Sequence, residues 1–321
     1  MSHRVLVTGA FGNVGSRTVH HLLTAGHHVE ATDLPTAKTQ AIAAGFGDAV
    51  EIVWGNICDP QLWPQLLVGI DTVIHLAAVI PPTSDHHPEL ATAVNLTATA
   101  EMLRCMEASP TAKRLIFASS MAVAGFHQHL RKPPLRVTEA PAPTDHYGET
   151  KAACERLVQA SALRWSILRI TACPPVDISF KDAGSLDSMF SASVDGRVEV
   201  VHNDDAALAF AHAVDCGAAI GKILFVGGGE ACRSTAWDFY NRILSGMGLG
   251  PIRPQALRPG PAHFFGDWVD TAESQQLLAF QRHTLDDIVD ELKARLGWKR
   301  TLLQPLSPLV TRIIEKRSPH L

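Results

Sequence analysis

The chain has 321 residues, 46% of them hydrophobic, and a formal net charge of -4. Length predicts a large core and about two domains, and the absence of any face-sized block of Lys and Arg argues against nucleic-acid binding. A small molecule is the expected partner. Six cysteines without a CxxC pair indicate neither a zinc site nor a disulfide framework, so reduced thiols and a cytoplasmic location are expected. An apolar strand begins by residue 4, leaving no room for a signal peptide, and no segment has the length to span a bilayer.

The first half alternates short apolar runs with helical patterns. RVLVT is followed by GAFGNVG and a helix over 14–25, with Gly26 where a C-cap belongs. Gly9, Gly12 and Gly15 thus lie between a first strand and a first helix. Glycine there lets the backbone turn sharply, approach a pyrophosphate and pack helix on strand, while the helix dipole favours the phosphates. A plain tight turn is the alternative. HHVEAT forms the second strand and ends at Asp33, the separation at which a carboxylate accepts bonds from the adenosine ribose. A carboxylate there repels a 2′-phosphate and no arginine is near, so NAD is expected rather than NADP; Asp33 capping the next turn is the other reading.

A helix near 36–44 and the strands VEIVWG and DTVIHLAA follow, and Thr83 or Ser84 stands where it would cap a long helix running to about Ser109. RLIFASS then ends in two serines. In DHYGETKAACERL, Tyr147 and Lys151 are four residues apart, one turn on the same helix face, which brings an ammonium to a phenol and favours the phenolate. That pair reads as a tuned acid/base. Together, strands of this kind separated by helices predict an α/β doubly wound parallel sheet, a Rossmann fold, completed by WSILRI.

After residue 170 the pattern loosens. The dinucleotide-binding domain is expected over 1–170, with 198–228 (VEVV, a helix over 204–216 and KILFVGGG) returning to its sheet. A smaller substrate-binding lobe takes 171–197 and 229–321, with helices over 234–247 and 285–296. The tail LLQPLSPLVTRIIEKRSPHL is apolar enough to suggest a membrane-surface or subunit contact, but its two prolines favour packing against the body.

These motifs together resemble the extended short-chain dehydrogenase/reductase family, also called the NAD-dependent epimerase/dehydratase family. TGAFGNVG is similar to its TGxxGxxG, GNICD to GDxxD, DTVIHLAA to DxVxHLAA, FASSMAVAG to SSxxVYG and YGETK to YxxxK. The resemblance runs from about residue 4 to 230. It implies NAD as cofactor and a homodimer, with Ser120 binding substrate, Tyr147 as acid/base, and Lys151 holding the nicotinamide ribose and lowering the tyrosine pKa. It also implies Phe11, Asn13 and Val14 in the cofactor loop, Asn56 and Ile57 at the adenine, and Ala77 and Ala78 at the nicotinamide ribose. Asn95 falls in the helix behind the site, as a cofactor-site residue or as a buried polar group bonded to backbone. Ser119 is a candidate helper to Ser120.

Departures carry the substrate information. Met121 and Ala122 follow Ser120 where dehydratases of the family have an acidic pair, so elimination chemistry is not expected. LRITACPPV has Ala172 where sugar-nucleotide enzymes have a phosphate-contacting Asn, and only Lys181 and Arg197 are cationic between there and His202. Arg233 is either a further phosphate contact or a solvated loop side chain. Ile178, Phe180, Leu186, Met189 and Phe190 are either a pocket wall or the lobe's own core. His127, His129, His146 and His202 form no ligand or triad spacing, and no metal is expected. The expectation is an NAD-dependent dehydrogenase/reductase passing a hydride between a secondary alcohol or ketone and the nicotinamide. A sugar-nucleotide epimerase is the alternative, and a non-catalytic dinucleotide sensor is a third class.

Overall fold

The structure is a computed structural model in which residues 2–174, 183–261, 263 and 266–321 are described. Seven parallel strands form one sheet: β1 (Arg4–Thr8), β2 (His28–Thr32), β3 (Glu51–Ile52), β4 (Thr72–His75), β5 (Arg114–Ser120), β6 (Arg164–Ile170) and β8 (Ile223–Val226). Their order is β3-β2-β1-β4-β5-β6-β8, so the winding reverses between β1 and β4, where a crevice opens at the strands' carboxyl ends. Register places Thr8 beside His75, and Ser120 beside Ile170.

Strand side chains alternate between two buried faces. Val5, Val7, Ala31 and Ile116 join one core with the alanine-rich helix Asn203–Asp215, while Leu6, Val73, Leu115 and Phe117 join the other with Trp63, Met102 and Met106. The helix Gly15–Thr24 closes as a Schellman motif: Gly26, at φ +82, donates to the Leu23 carbonyl and His27 to that of Leu22. All six cysteines are free thiols.

Two elements differ from expectation. The run toward Ser109 is not one helix capped at Thr83 or Ser84. It breaks at His87, restarts at Pro88 and passes through a π-helical stretch, Thr92–Thr97, into the helix Ala98–Ala108. Pro88 suits a first helical position because no intrahelical partner awaits its missing N–H. VEVV does not return to the main sheet: β7 (Arg197–Glu199) pairs antiparallel with β9 (Arg233–Thr235). Val198 and Val200 are buried, but by a separate core of Phe239, Ile243, Leu244, Ile288 and Leu292; an apolar run records burial without naming its sheet. The helix Asn203–Asp215 does pack on the main sheet. The tail packs against this second core through Val310 and Ile314.

Candidate active site

Gly9, at φ +63, opens the turn after β1; a Cβ there would lie 2.9 Å from the backbone of Ala77. At Gly15 a Cβ would come within 2.1 Å of the Gly9 carbonyl oxygen, so this helix start cannot accept a side chain without moving the turn. No side chain caps the helix Gly15–Thr24, whose first amides face the crevice end of the sheet. The Asp33 carboxylate accepts from the Phe11 N–H at 2.9 Å and from the Leu34 N–H at 2.8 Å. It therefore clamps the glycine turn to the end of β2 and also lines the cavity beside that turn.

That cavity has a volume of about 800 Å³, and its lining includes Gly9, Phe11, Gly12, Asn13, Val14, Gly15, Asp33, Asn56, Ile57, Ala77, Ala78, Ser120, Tyr147 and Lys151. A group that carries a ribose, a pyrophosphate and a reactive ring fits this set of a carboxylate, a bare glycine turn and titratable side chains. Lys38 and Thr39 also line it, and sequence reasoning missed them; the signal was a cation five residues beyond Asp33.

Ser120 ends β5 and caps the following turn, accepting from the Ala122 N–H at 3.1 Å. Tyr147 sits in the first turn of the helix His146–Ala160, which Asp145 caps through the Gly148 N–H at 2.7 Å. One turn on, Lys151 donates to the Ala118 carbonyl at 2.8 Å, and its ammonium lies 5.9 Å from the centre of the Tyr147 ring. Burial pushes the Tyr147 phenol up to about 12, with a hydrogen bond from Ser120 pulling the other way. Burial likewise brings Lys151 down to about 8. The expected lowering of the tyrosine by Lys151 is thus not what dominates, because removing both groups from water costs each its charged form. Below this pair His75, buried between the hydroxyls of Thr8 at 2.8 Å and Thr99 at 3.1 Å, is pushed down to about 3 and is held neutral. Its position inside DTVIHLAA carried no cue to that role.

Asn95 does not reach the cavity. Its amide oxygen accepts from the Val79 N–H at 2.7 Å and its nitrogen donates to the Val79 carbonyl at 2.9 Å, pinning the loop after β4 as a buried polar group does. Ser119 also lines the cavity, but its hydroxyl is directed to Glu155, to which it donates at 2.6 Å, and not to Ser120. Glu155 in turn holds Arg169 by two bonds, of 2.9 and 2.7 Å. Arg197 is paired with Asp267, and Arg233 with buried Glu199 at 2.8 Å, so Arg233 is neither a phosphate contact nor solvated. Leu186, Met189 and Phe190 belong to the second core rather than to the cavity; Ile178, Phe180 and Lys181 lie outside the described residues. The wall beside Ser120 and Tyr147 comes instead from Val79, Ile80, Leu90, Val94, Met121 and Phe126, with Ala172 near the cofactor loop.

Of the four histidines, His202 is buried, and it stacks on His283 with ring centres 4.0 Å apart. With Asp205 these two bring ligand-type atoms within 4.8 Å of one another. Both His202 nitrogens are already engaged, by the Asp204 N–H and by Glu291, and His283 Nδ1 meets Asp205. The group works as a polar staple.

Known proteins resemble this chain in sequence and in fold. A family model described as "NAD dependent epimerase/dehydratase family" covers residues 5–225. The 3 beta-hydroxysteroid dehydrogenase/Delta 5-->4-isomerase of Mycobacterium tuberculosis is 27% identical over 324 residues, 95% of this chain and 80% of that protein. A UDP-glucose 4-epimerase of Halalkalibacterium halodurans is 33% identical over 172 residues, 51% of this chain and 49% of its own length. Among solved structures, the UDP-glucuronic acid 4-epimerase of Bacillus cereus, in complex with UDP-glucuronic acid and NAD, superposes with a TM-score of 0.74 at 22% identity, covering 91% of this chain and 98% of that one. A short-chain dehydrogenase/reductase superfamily protein of Agrobacterium tumefaciens with bound NAD gives 0.75 at 21% identity, covering 95% and 99%. Structural likeness at that identity speaks to the fold, whereas the family model spans well over half the chain, glycine turn and YxxxK pair included. The chain belongs to the NAD-dependent epimerase/dehydratase family and is an NAD-dependent enzyme of the oxidoreductase type.

Proposed function

We propose that the protein interconverts a neutral secondary alcohol and its ketone, on a substrate that carries no nucleotide. The observation that carries this reading is the substrate end of the cavity. Among the described lining residues the only cations are Lys38, by Asp33, and Lys151, beneath Tyr147. A nucleotide diphosphate calls for fixed positive charge. Arg197 and Arg233, the arginines weighed from the sequence as phosphate contacts, are spent on Asp267 and Glu199. The steroid dehydrogenase likeness over 95% of the chain supports the same substrate class.

NAD, when bound, supplies the hydride acceptor. The chain's own residues do the rest. Ser120 holds the substrate oxygen, and Tyr147, lining the same end of the cavity, takes the hydroxyl proton on oxidation or returns it on reduction. Lys151, anchored on the Ala118 carbonyl, places its charge where a phenolate forms. Val79, Met121 and Phe126 exclude water from that exchange.

Sugar-nucleotide epimerisation is the second reading, favoured by the 33% identity to a UDP-glucose 4-epimerase over 51% of the chain. Incubation with NAD and either a panel of secondary alcohols, 3β-hydroxysteroids included, or UDP-glucose distinguishes them. The expected result is net NADH release with an alcohol and neither binding nor conversion of the nucleotide sugar. Micromolar binding of UDP-glucose, or its epimerisation without NADH release, refutes the proposal.

A further inference from the structure

The segment after Gly297 runs through the helices Trp298–Leu303 and Ser307–Glu315, joined by a single tight turn, Gln304–Leu306. Gln304, Leu306 and Ser307 all keep right-handed helical backbone, so the two helices form one nearly continuous rod. Its inner side docks on the second core through Val310 and Ile314. A helix that buries one stripe ordinarily turns polar residues outward. Here the outer side carries Trp298, Leu302, Leu306, Leu309 and Ile313, which follow one another at intervals of four, four, three and four and so lie along one line. They are between 51% and 70% exposed, the largest such grouping among the described residues.

Charge says what covers this face. Lys299, Arg312, Lys316 and Arg317 are exposed beside the stripe, whereas Glu315, the sole carboxylate side chain from 298 onward, is turned inward onto Arg253. With Arg300 the segment holds five cations against that one acid, in a chain whose total is -4. The remainder of the molecule is therefore strongly acidic. We infer that residues 298–317 seat the protein on an anionic lipid surface, with Trp298 and the leucines in the headgroup boundary and the flanking cations on the lipid phosphates. A second copy fits poorly, because a two-fold contact through this stripe sets the same cations against each other. Spanning is not the mode: no helix among the described residues is long and apolar enough to cross a membrane.

The test uses the full chain and sedimentation with vesicles of phosphatidylcholine alone or mixed with phosphatidylglycerol. Partition onto the mixed vesicles should be at least tenfold stronger and should weaken as salt is raised. Leu302→Glu/Leu309→Glu and, separately, Lys316→Glu/Arg317→Glu should each remove at least tenfold of it while leaving turnover in solution unchanged. If the leucine pair lowers the melting temperature, the Lys316/Arg317 pair decides. No partition onto anionic vesicles, or partition that neither double variant reduces, overturns the inference. So does a dimer in ultracentrifugation that Leu302→Glu/Leu309→Glu splits without any lipid binding.

Discussion

Glu155→Gln probes how the site is held from beneath. Glu155 accepts one bond from Ser119 and two from Arg169, and neither side chain of the Glu155–Arg169 pair is more than 3% exposed. The register of β5 on β6 sets Ser119 directly beside Arg169, one residue before Ser120. Replacing the carboxylate by an amide of the same shape leaves the Arg169 guanidinium buried without its counter-charge, a loss of about 3–5 kcal/mol. For a chain of this length each kcal/mol moves the midpoint by about 2 °C, so the melting temperature should fall by about 6–10 °C. Turnover should fall as well, because the end of β5 that carries Ser120 loses its anchor. The charge reasoning makes a second demand: Glu155→Leu/Arg169→Met, which removes both charges, should recover much of the stability lost in the single variant. Thermal and urea unfolding of the three proteins measure this. A loss below about 1 kcal/mol for Glu155→Gln, or a double variant no more stable than the single, would refute the account.

Tyr147→Phe should abolish turnover while leaving NAD affinity by calorimetry nearly intact, whereas Lys151→Ala should damage both; wild-type turnover in the phenylalanine variant would end the acid/base assignment. NAD should bind more tightly than NADP, and Asp33→Ser should narrow the gap, with Lys38 then free to favour the 2′-phosphate; equal affinities in the wild type count against Asp33. Stability should also carry the mark of Lys151. Its folded value of about 8 lies below its ordinary 10.5, so between those pH values the unfolded chain binds more protons and the burial penalty is relieved as pH rises. Tyr147, raised from 10 to about 12, acts oppositely above pH 10, since there the unfolded chain has lost the proton that the folded one keeps. Melting temperatures of Lys151→Met and wild type should therefore converge from pH 8 to 10; parallel curves would refute the buried ammonium.

Much of the molecule was legible before any coordinates. Periodicity gave the parallel strands, because a sheet covered on both faces needs continuous apolar runs, and RVLVT, RLIFASS and WSILRI contain little else. The glycine triplet and the YxxxK pair announced themselves because their chemistry is local: a turn, a helix start, one helical repeat. What neighbours a side chain across the fold was not local, and there the sequence was silent. It could not tell that Ser119 directs its hydroxyl to Glu155, that Asn95 serves the Val79 backbone, or that Arg197 and Arg233 are neutralised by Asp267 and Glu199, acids that lie 70 and 34 residues away. Nor could it say that burial outweighs Lys151 in setting the Tyr147 phenol, since desolvation depends on what the whole chain packs around a group. VEVV shows the same limit, its apolar residues fixing that it is buried while only long-range pairing decided against which strand. Residue type and spacing determine which backbone turns and which chemistry are available; the tertiary structure decides which charges remain unspent and which surfaces stay uncovered, because both are properties of contacts between segments remote in the chain.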